Sequence, residues 1–477
     1  MYLKYMVNNV FKRIITLNTA RIAIFLMLIL FFCCLPVYSK KQNIQANNQQ
    51  VSPETLQGKV EIINLKSVVE YTLAKNIDMK IARARIEQAK YYYKGSFASF
   101  LPSITPQFPV ERFKGGEIFY GPIPINLDRT TYRPAIYGDY QLYTGGKPIF
   151  DTLASKNQYS RLKVGYNTTL QKTLLNSCKM YFEWLKNASD VDVADQSLQE
   201  AETQLKTNTA RLRTGFGTKL DVLQTKTLVL DRKNLLLQAE NKKDSSRISL
   251  ASFLCIPPSM EMEPEKNYLE PLSLWDKNLT LPQLYDISSK TRPDIQELAY
   301  SLVQSKNQLR SLVAELFPSV GLSGYKRGIG PQLNSLDGTT QGLLNINLGF
   351  LKNLGLGAWS DVKVARARLK ESILNKEKIL NDIYKTIAQS YYDCKYFDEQ
   401  LKITQEKVSD AKEAYRIALV RMKNGIGINL EVIQAQSELT KSNLEYQNAV
   451  KNYNIAQIEL LYECGQLTPE KLLSAIR

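Results

Sequence analysis

Arg211-Leu-Arg-Thr-Gly215-Phe-Gly217-Thr-Lys-Leu220-Asp221-Val222-Leu-Gln224 is answered 210 residues later by Arg421-Met-Lys-Asn-Gly425-Ile-Gly427-Ile-Asn-Leu430-Glu431-Val432-Ile-Gln434. One coincidence of this kind is cheap, but others follow in the same order. Leu101-Pro102-Ser103-Ile104 matches Phe317-Pro318-Ser319-Val320, Asp78 matches Asp294, and Tyr181-Phe182-Glu183 matches Tyr391-Tyr392-Asp393. The chain is therefore an internal duplication, and its architecture has to be read as two copies of one unit.

Proline placement divides each copy. There is none between residues 149 and 256 or between 332 and 468, whereas seven fall between Pro102 and Pro148 inclusive. Proline breaks helix interiors, so the clean tracts can carry very long helices and the rich tract cannot. In the second clean tract Leu380, Ile383, Ile387, Ser390, Cys394, Phe397, Leu401, Thr404, Val408, Ala411, Tyr415, Ala418 and Met422 keep an unbroken 3-4 spacing. That is the pattern of a coiled-coil seam. A second seam runs Val432, Ala435, Leu439, Ser442, Tyr446, Ala449, Tyr453, Ala456, Leu460, alternating large with small side chains. Its tyrosines read as packing residues.

The spacing predicts long helices over 149–213 and 361–423, each turning at Gly-x-Gly into a shorter helix, 218–254 and 428–462. At about 1.5 Å per residue the longer ones reach about 95 Å, so they must pack on one another as a bundle or tube. Glycine closes each helix with a positive φ, which places Asp221 and Glu431 in the opening turn of the next helix. Helix-end stabilisation is one reading of these carboxylates.

At the opposite end of each hairpin, tracts 103–113, 131–143, 319–327 and 342–351 have the length of tilted membrane strands. Leu344, Ile346, Leu348 and Phe350 alternate with Asn345, Asn347 and Gly349, giving one apolar and one polar face. Tyr132, Tyr137, Tyr140 and Tyr143 supply interfacial aromatics. A small soluble sheet is the competing reading. Pro106 and Pro109 weaken the first strand, because proline cannot donate to a ladder. Four strands cannot close a barrel when single-chain examples need about eight, so several chains must contribute by cyclic symmetry.

Composition narrows the chemistry. The 477 residues, 44% apolar and 23% charged, are those of a folded protein of about three domains by length. There is no histidine, which removes Ser-His-Asp and Cys-His nucleophiles and histidine metal sites. Cys178, Cys255, Cys394 and Cys464 stand singly, so neither a zinc site nor a disulfide framework is expected. No G-x-S-x-G elbow or phosphate-binding glycine loop is present, and neither enzymatic activity nor a cofactor or metal is expected. The net charge is +16, but basic and acidic residues interleave along helical stretches, which argues against a nucleic-acid surface.

Lys4, Lys12, Arg13 and Arg21 precede an apolar run over 22–37, closed by Ser39, the layout of a signal peptide over 1–39. A retained anchor, or lipidation at Cys33 or Cys34, is the alternative. Removal of 1–39 takes the net charge from +16 to +12. No other segment approaches spanning length, so a mature chain that crosses a membrane does so as strands. The expected layout is a flexible segment over 40–60, a first repeat over 61–270, a second over 271–465 and a C-terminal tail over 466–477. Each repeat is a helix, a strand pair (103–143 or 319–351), a long helix, a turn and a returning helix.

Signal peptide, duplicated halves, Leu/Phe-Pro-Ser-Ile/Val strand entries, the Tyr-Leu-Tyr-Thr-Gly145-Gly146 exit and paired R-x-[RK]-x-G-x-G-x-x-L-[DE]-V turns together resemble the TolC-type outer-membrane efflux family, over residues 60 to 465. The resemblance implies a mainly α fold with a small β part. Long antiparallel coiled-coil helices form an α-helical barrel, continued by a transmembrane β-barrel with four strands per chain, closed by trimerisation. It also implies residence in the outer membrane, with the helices in the periplasm. As partners it implies a periplasmic adaptor (membrane fusion protein) and, through it, an inner-membrane pump or ABC transporter. The function implied is a passive exit duct of a tripartite efflux or type I secretion system.

By the same resemblance, turn carboxylates ring the closed tip. Glu431 holds the first such position and neutral Gln434 the second, with Asp221 as the first-repeat carboxylate. The arginine that latches onto that carboxylate in some members corresponds to Gly427, leaving Lys423 as a substitute. Gly215, Gly217, Gly425, Gly427 and Lys423 are the expected tip turns and adaptor contact. The second-half exit, Phe350-Leu-Lys-Asn-Leu-Gly355-Leu-Gly357, departs from the family pattern and leaves the last strand boundary open. A periplasmic coiled-coil scaffold or adaptor without a pore is the alternative function. It accounts less well for two equivalent hairpins each fed by strands.

Overall fold

The computed structural model describes residues 60–120, 122–126, 129–257 and 260–474. The expected signal peptide, Cys33 and Cys34 and nearly all of the 40–60 segment lie outside them. The first repeat runs β1 (Glu61–Ile63), α1 (Leu65–Lys75), α2 (Ile77–Gly95), β2 (Ser103–Gln107), β3 (Val110–Phe113), β4 (Glu117–Tyr120), β5 (Ile123–Asn126), β6 (Arg129–Tyr132), β7 (Ala135–Thr144), α3 (Lys147–Arg213) and α4 (Lys219–Phe253). The second runs β8 (Met262–Pro264), α5 (Leu281–Thr291), α6 (Pro293–Ala314), β9 (Pro318–Ile329), β10 (Asp337–Leu348), α7 (Leu356–Lys423) and α8 (Asn429–Glu463), followed by α9 (Pro469–Ser474).

Several boundaries differ from the sequence expectation, each for a local reason. Each repeat opens with two helices rather than one. At the first break Asn76 Oδ1 accepts the amides of Asp78 at 2.8 Å and Met79 at 3.4 Å, a cap that starts a new helix. At the second, Pro293 takes the first position of α6, where a missing N–H costs nothing. The 103–113 tract is split into β2 and β3 ahead of Pro109, and the residues after it form a further hairpin, β4 with β5. The last strand begins at Asp337 and ends at Leu348, not 342–351. Leu348 lies opposite Pro318, the first residue of β9, so the ladder has no partner beyond it, and Gly349–Gly355 turn as a 3-10 helix. The long helices begin at Lys147 and Leu356 rather than 149 and 361. The tail holds α9, because Leu467 and Leu472 are fully buried in the main core.

β10, β9, β7 and β2 form one antiparallel sheet in that order, with β7 against β9 joining the two repeats. β10 and β2 are its edges. Leu344 and Ile346 stand 61% and 63% exposed opposite Leu322 and Val320, while on the other face Asn345 Nδ2 donates to Ser323 Oγ at 2.7 Å. An apolar sheet face normally packs on a second layer. Among the described residues, none covers this one.

α3 packs along α4 and α7 along α8, and α3 against α8 joins the hairpins. The long helices span about 100 Å at about 1.5 Å per residue. Both 3-4 seams point inward: every one of their residues is buried or half-buried, with none exposed. The largest core lies midway along the hairpins, where Trp184, Phe182 and Leu174 of α3 meet Leu250 of α4, Ile458 of α8 and Val68 of α1. No described helix is long and apolar enough to cross a membrane.

Candidate functional site at the helix turns

The two Gly-x-Gly turns close the helices in the same way. Gly215, at φ 79°, donates its N–H to Leu212 O at 3.2 Å, and Phe216 N–H reaches back to Arg211 O at 2.9 Å. Gly425, at φ 76°, and Ile426 repeat this on Met422 O and Arg421 O. These are helix terminations that a side chain would strain. The second glycine is needed for space instead: a Cβ on Gly217 would lie 3.0 Å from Leu212 N, and one on Gly427 3.0 Å from Arg421 Cβ. At the apices Phe216 and Ile426 are 79% and 74% exposed.

The two turn carboxylates, equivalent by sequence, do different things. Asp221 closes a reciprocal cap: its Oδ2 accepts Thr218 N–H at 3.0 Å and Thr218 O–H at 2.6 Å, and its own N–H donates to Thr218 Oγ1 at 3.1 Å. Glu431 has Ile428 at the capping position, which offers no side-chain hydrogen bond. Its carboxylate instead faces Arg421 Nε at 3.6 Å, with both side chains about half exposed. Asp221→Ala is expected to destabilise the start of α4 by about 1 kcal/mol. Faster amide exchange over 219–224 checks this. Glu431→Ala should leave exchange at the start of α8 almost unchanged.

Gln434 and Lys423 are exposed and form no hydrogen bond or ion pair among the described residues, and Lys423 makes none to Asp221. The hairpins are tied by residues that the sequence reading did not select. Asn429, buried at the start of α8, accepts from Asn208 Nδ2 at 2.7 Å and Gln204 Nε2 at 3.2 Å through Oδ1. Its Nδ2 donates to Asp221 O and Thr225 Oγ1, both at 3.3 Å. Asn208 also donates to Thr225 Oγ1 at 2.7 Å. Arg211 completes the tie by donating to Met422 O at 2.8 Å, across from one hairpin to the other. Asn429 corresponds to Lys219 in the first repeat, so a search for matching residues passes over it. A search for mismatches would have found it.

An exposed apolar sheet and long paired hairpins closed by glycine turns define a channel-type membrane protein. The family model for outer membrane efflux proteins matches residues 68–255 and 284–465, and the chain belongs to that family. It is 21% identical over 389 residues to the antibiotic efflux pump outer membrane protein ArpC of Pseudomonas putida, covering 79% of this chain and 77% of that one. Over the same length it is 19% identical to the cation efflux system protein CusC of Escherichia coli K12, covering 79% and 80%. Among solved structures, the Campylobacter jejuni CmeC outer membrane channel superposes with a TM-score of 0.73 at 17% identity, covering 86% of this chain and 88% of that one. The channel reading therefore stands over that of a pore-less periplasmic scaffold, and the protein is placed in the outer membrane.

Proposed function

We propose that three copies of this chain close into one ring and form the exit duct of a tripartite efflux or type I secretion system. The carrying observation is the sheet. It has two open edges, β10 and β2, and an apolar face with no covering layer. Lipid is the solvent that suits such a face, and pairing of β10 with the next copy's β2 removes both edges. The helical hairpins then continue the barrel as a periplasmic tunnel. Phe216, Ile426 and the neighbouring Leu220 and Ile428 present apolar surface at the tip, which suits the helical hairpins of a periplasmic adaptor bound to an inner-membrane pump or ABC transporter.

In that ring Glu431, one per copy, lies beside the constriction, while Asp221 serves its helix. Three such carboxylates in a narrow passage favour cations. Purified oligomer in planar bilayers should carry single-channel currents with cation preference, and Glu431→Gln should weaken that preference. Preference unchanged by Glu431→Gln would leave Glu431 only its contact with Arg421. A stable monomer without current would end the duct reading.

A further inference from the structure

We propose that Lys156, Arg310 and Lys363 form an outward-facing cationic collar just below the sheet, which holds the phosphate groups of anionic phospholipid in the periplasmic leaflet. The proposal rests on the ring reading above, which decides which side of the helices is outward. Its first support is the distribution of charge. The helix tracts on the sheet side, 77–95, 147–172, 293–314 and 356–385, carry 19 basic and 9 acidic residues, a net of +10. The tracts on the turn side, 173–213, 219–253, 386–423 and 429–463, carry 21 of each. There, cations such as Lys179, Lys407 and Arg416 are paired with Glu459, Glu445 and Glu413. Lys156, Arg310 and Lys363 are exposed and form no ion pair or hydrogen bond among the described residues.

The short elements fix which side is outward. In a ring they can lie only outside, because inside they would plug the duct. Tyr391 of α7 packs on Trp275 with ring centres 6.0 Å apart, and Tyr384 on Tyr285 of α5 at 5.0 Å. Steps of seven from Tyr384 toward the sheet lead to Glu377, Lys370, Lys363 and Leu356, which share that face. On α3, Tyr181 and Leu174 enter the core that holds Val68 of α1, and the same steps lead to Asn167, Ser160 and Leu153. Lys156 follows Leu153 by three residues, and Arg310 lies 5.9 Å over the ring of Phe150, three residues before it. All three cations therefore stand on the outer side.

Nearer the sheet the helices turn apolar: Ile149, Leu356 and Trp359 are more than half exposed. Apolar and aromatic residues beside the sheet, with cations one or two turns further on, are the order that a membrane surface selects. At about 1.5 Å per residue, Arg310, Lys363 and Lys156 lie about 6, 10 and 14 Å from the sheet-side ends of their helices. Long side chains at those depths reach a headgroup layer that borders about 30 Å of hydrocarbon. Anionic lipid complements the unpaired charge and continues the lipid inferred around the sheet.

The test uses the detergent-extracted oligomer of the full chain, titrated with phosphatidylglycerol or phosphatidylcholine and read by native mass spectrometry. The unaltered protein is expected to hold phosphatidylglycerol about tenfold more tightly than phosphatidylcholine, and less so at high salt. The triple variant Lys156→Gln, Arg310→Gln, Lys363→Gln should bring the two lipids to within about twofold of each other. A control triple, Lys172→Gln, Lys378→Gln, Lys385→Gln, removes the same charge more than about 30 Å along the helices from the sheet and should leave the preference unchanged. A parent without preference overturns the collar. So does a control that loses as much as the collar variant, because overall charge would then account for the binding. Collar-dependent binding of peptidoglycan fragments without a lipid preference overturns it as well, since the surface would then face the cell wall. Bilayer current separates the two levels. Current without lipid preference sinks the collar alone, whereas a monomer without current sinks the ring and the outward side with it.

Discussion

Arg292→Ala is expected to be among the most damaging single substitutions in the chain, costing about 3 kcal/mol because it leaves the half-buried Asp294 and Glu463 carboxylates without their cation. Arg292 is only 8% exposed and sits where α5 turns into α6. Its Nη2 and Nε bind Asp294 at 2.7 and 3.0 Å, and its Nη1 binds Glu463 twice, at the main-chain oxygen (2.6 Å) and at Oε2 (2.7 Å). Burial by itself would lower the guanidinium pKa, but Asp294 and Glu463 together hold it above its ordinary value. Thr386 Oγ1 of α7 donates to the same Glu463 oxygen at 2.9 Å, so one side chain gathers the α5–α6 corner, the end of α8 and the middle of α7. Arg292→Lys keeps the charge but cannot make the forked contacts, and should recover only part of the loss. Folded yield and the thermal unfolding temperature measure both variants. If alanine costs no more than lysine, the hub does not hold the corner together.

Asn429→Leu should have the second largest effect, and a local one. Leucine matches the volume but removes the buried carboxamide oxygen that accepts from Asn208 and Gln204, leaving Asn208 its bond to Thr225 and Gln204 only its contact with Met422 Sδ, at a cost of about 1–3 kcal/mol. The hairpins are expected to part at the turns while the middle of the bundle, held by Trp184 and its neighbours, stays closed. Amide exchange should therefore speed up over 204–216 and not over 174–185, and single-channel current should rise. Asn429→Asp keeps the acceptor for Asn208 and Gln204 but buries a charge and sets an oxygen against Asp221 O, so it should loosen the same turns rather than spare them. Equal exchange at both heights in the leucine variant would mean that the knot does not hold the tip.

The long helices were legible because their cause is local and repetitive. Proline-free tracts and an unbroken 3-4 spacing dictate a helix and its buried side, and no distant residue is needed to choose it. The strand ends were less legible. Leu348 ends β10 only because β9 begins at Pro318, a matter of register between two segments rather than of either one's composition. The tip shows the same divide in its chemistry. Sequence set Asp221 and Glu431 at matching positions, but whether a carboxylate caps depends on its neighbour. Thr218 can exchange hydrogen bonds with Asp221, while Ile428 has nothing to offer Glu431, which turns to Arg421 instead.

The residues alone determined that this chain is a duplicated pair of long helical hairpins fed by strands, since periodicity and proline placement act within a few turns of chain. Only the tertiary structure decided which polar groups tie the hairpins together. Asn429, Asn208 and Thr225 lie as much as 221 residues apart along the chain. A buried hydrogen bond depends on distances of about 3 Å in space, which spacing along the chain does not encode.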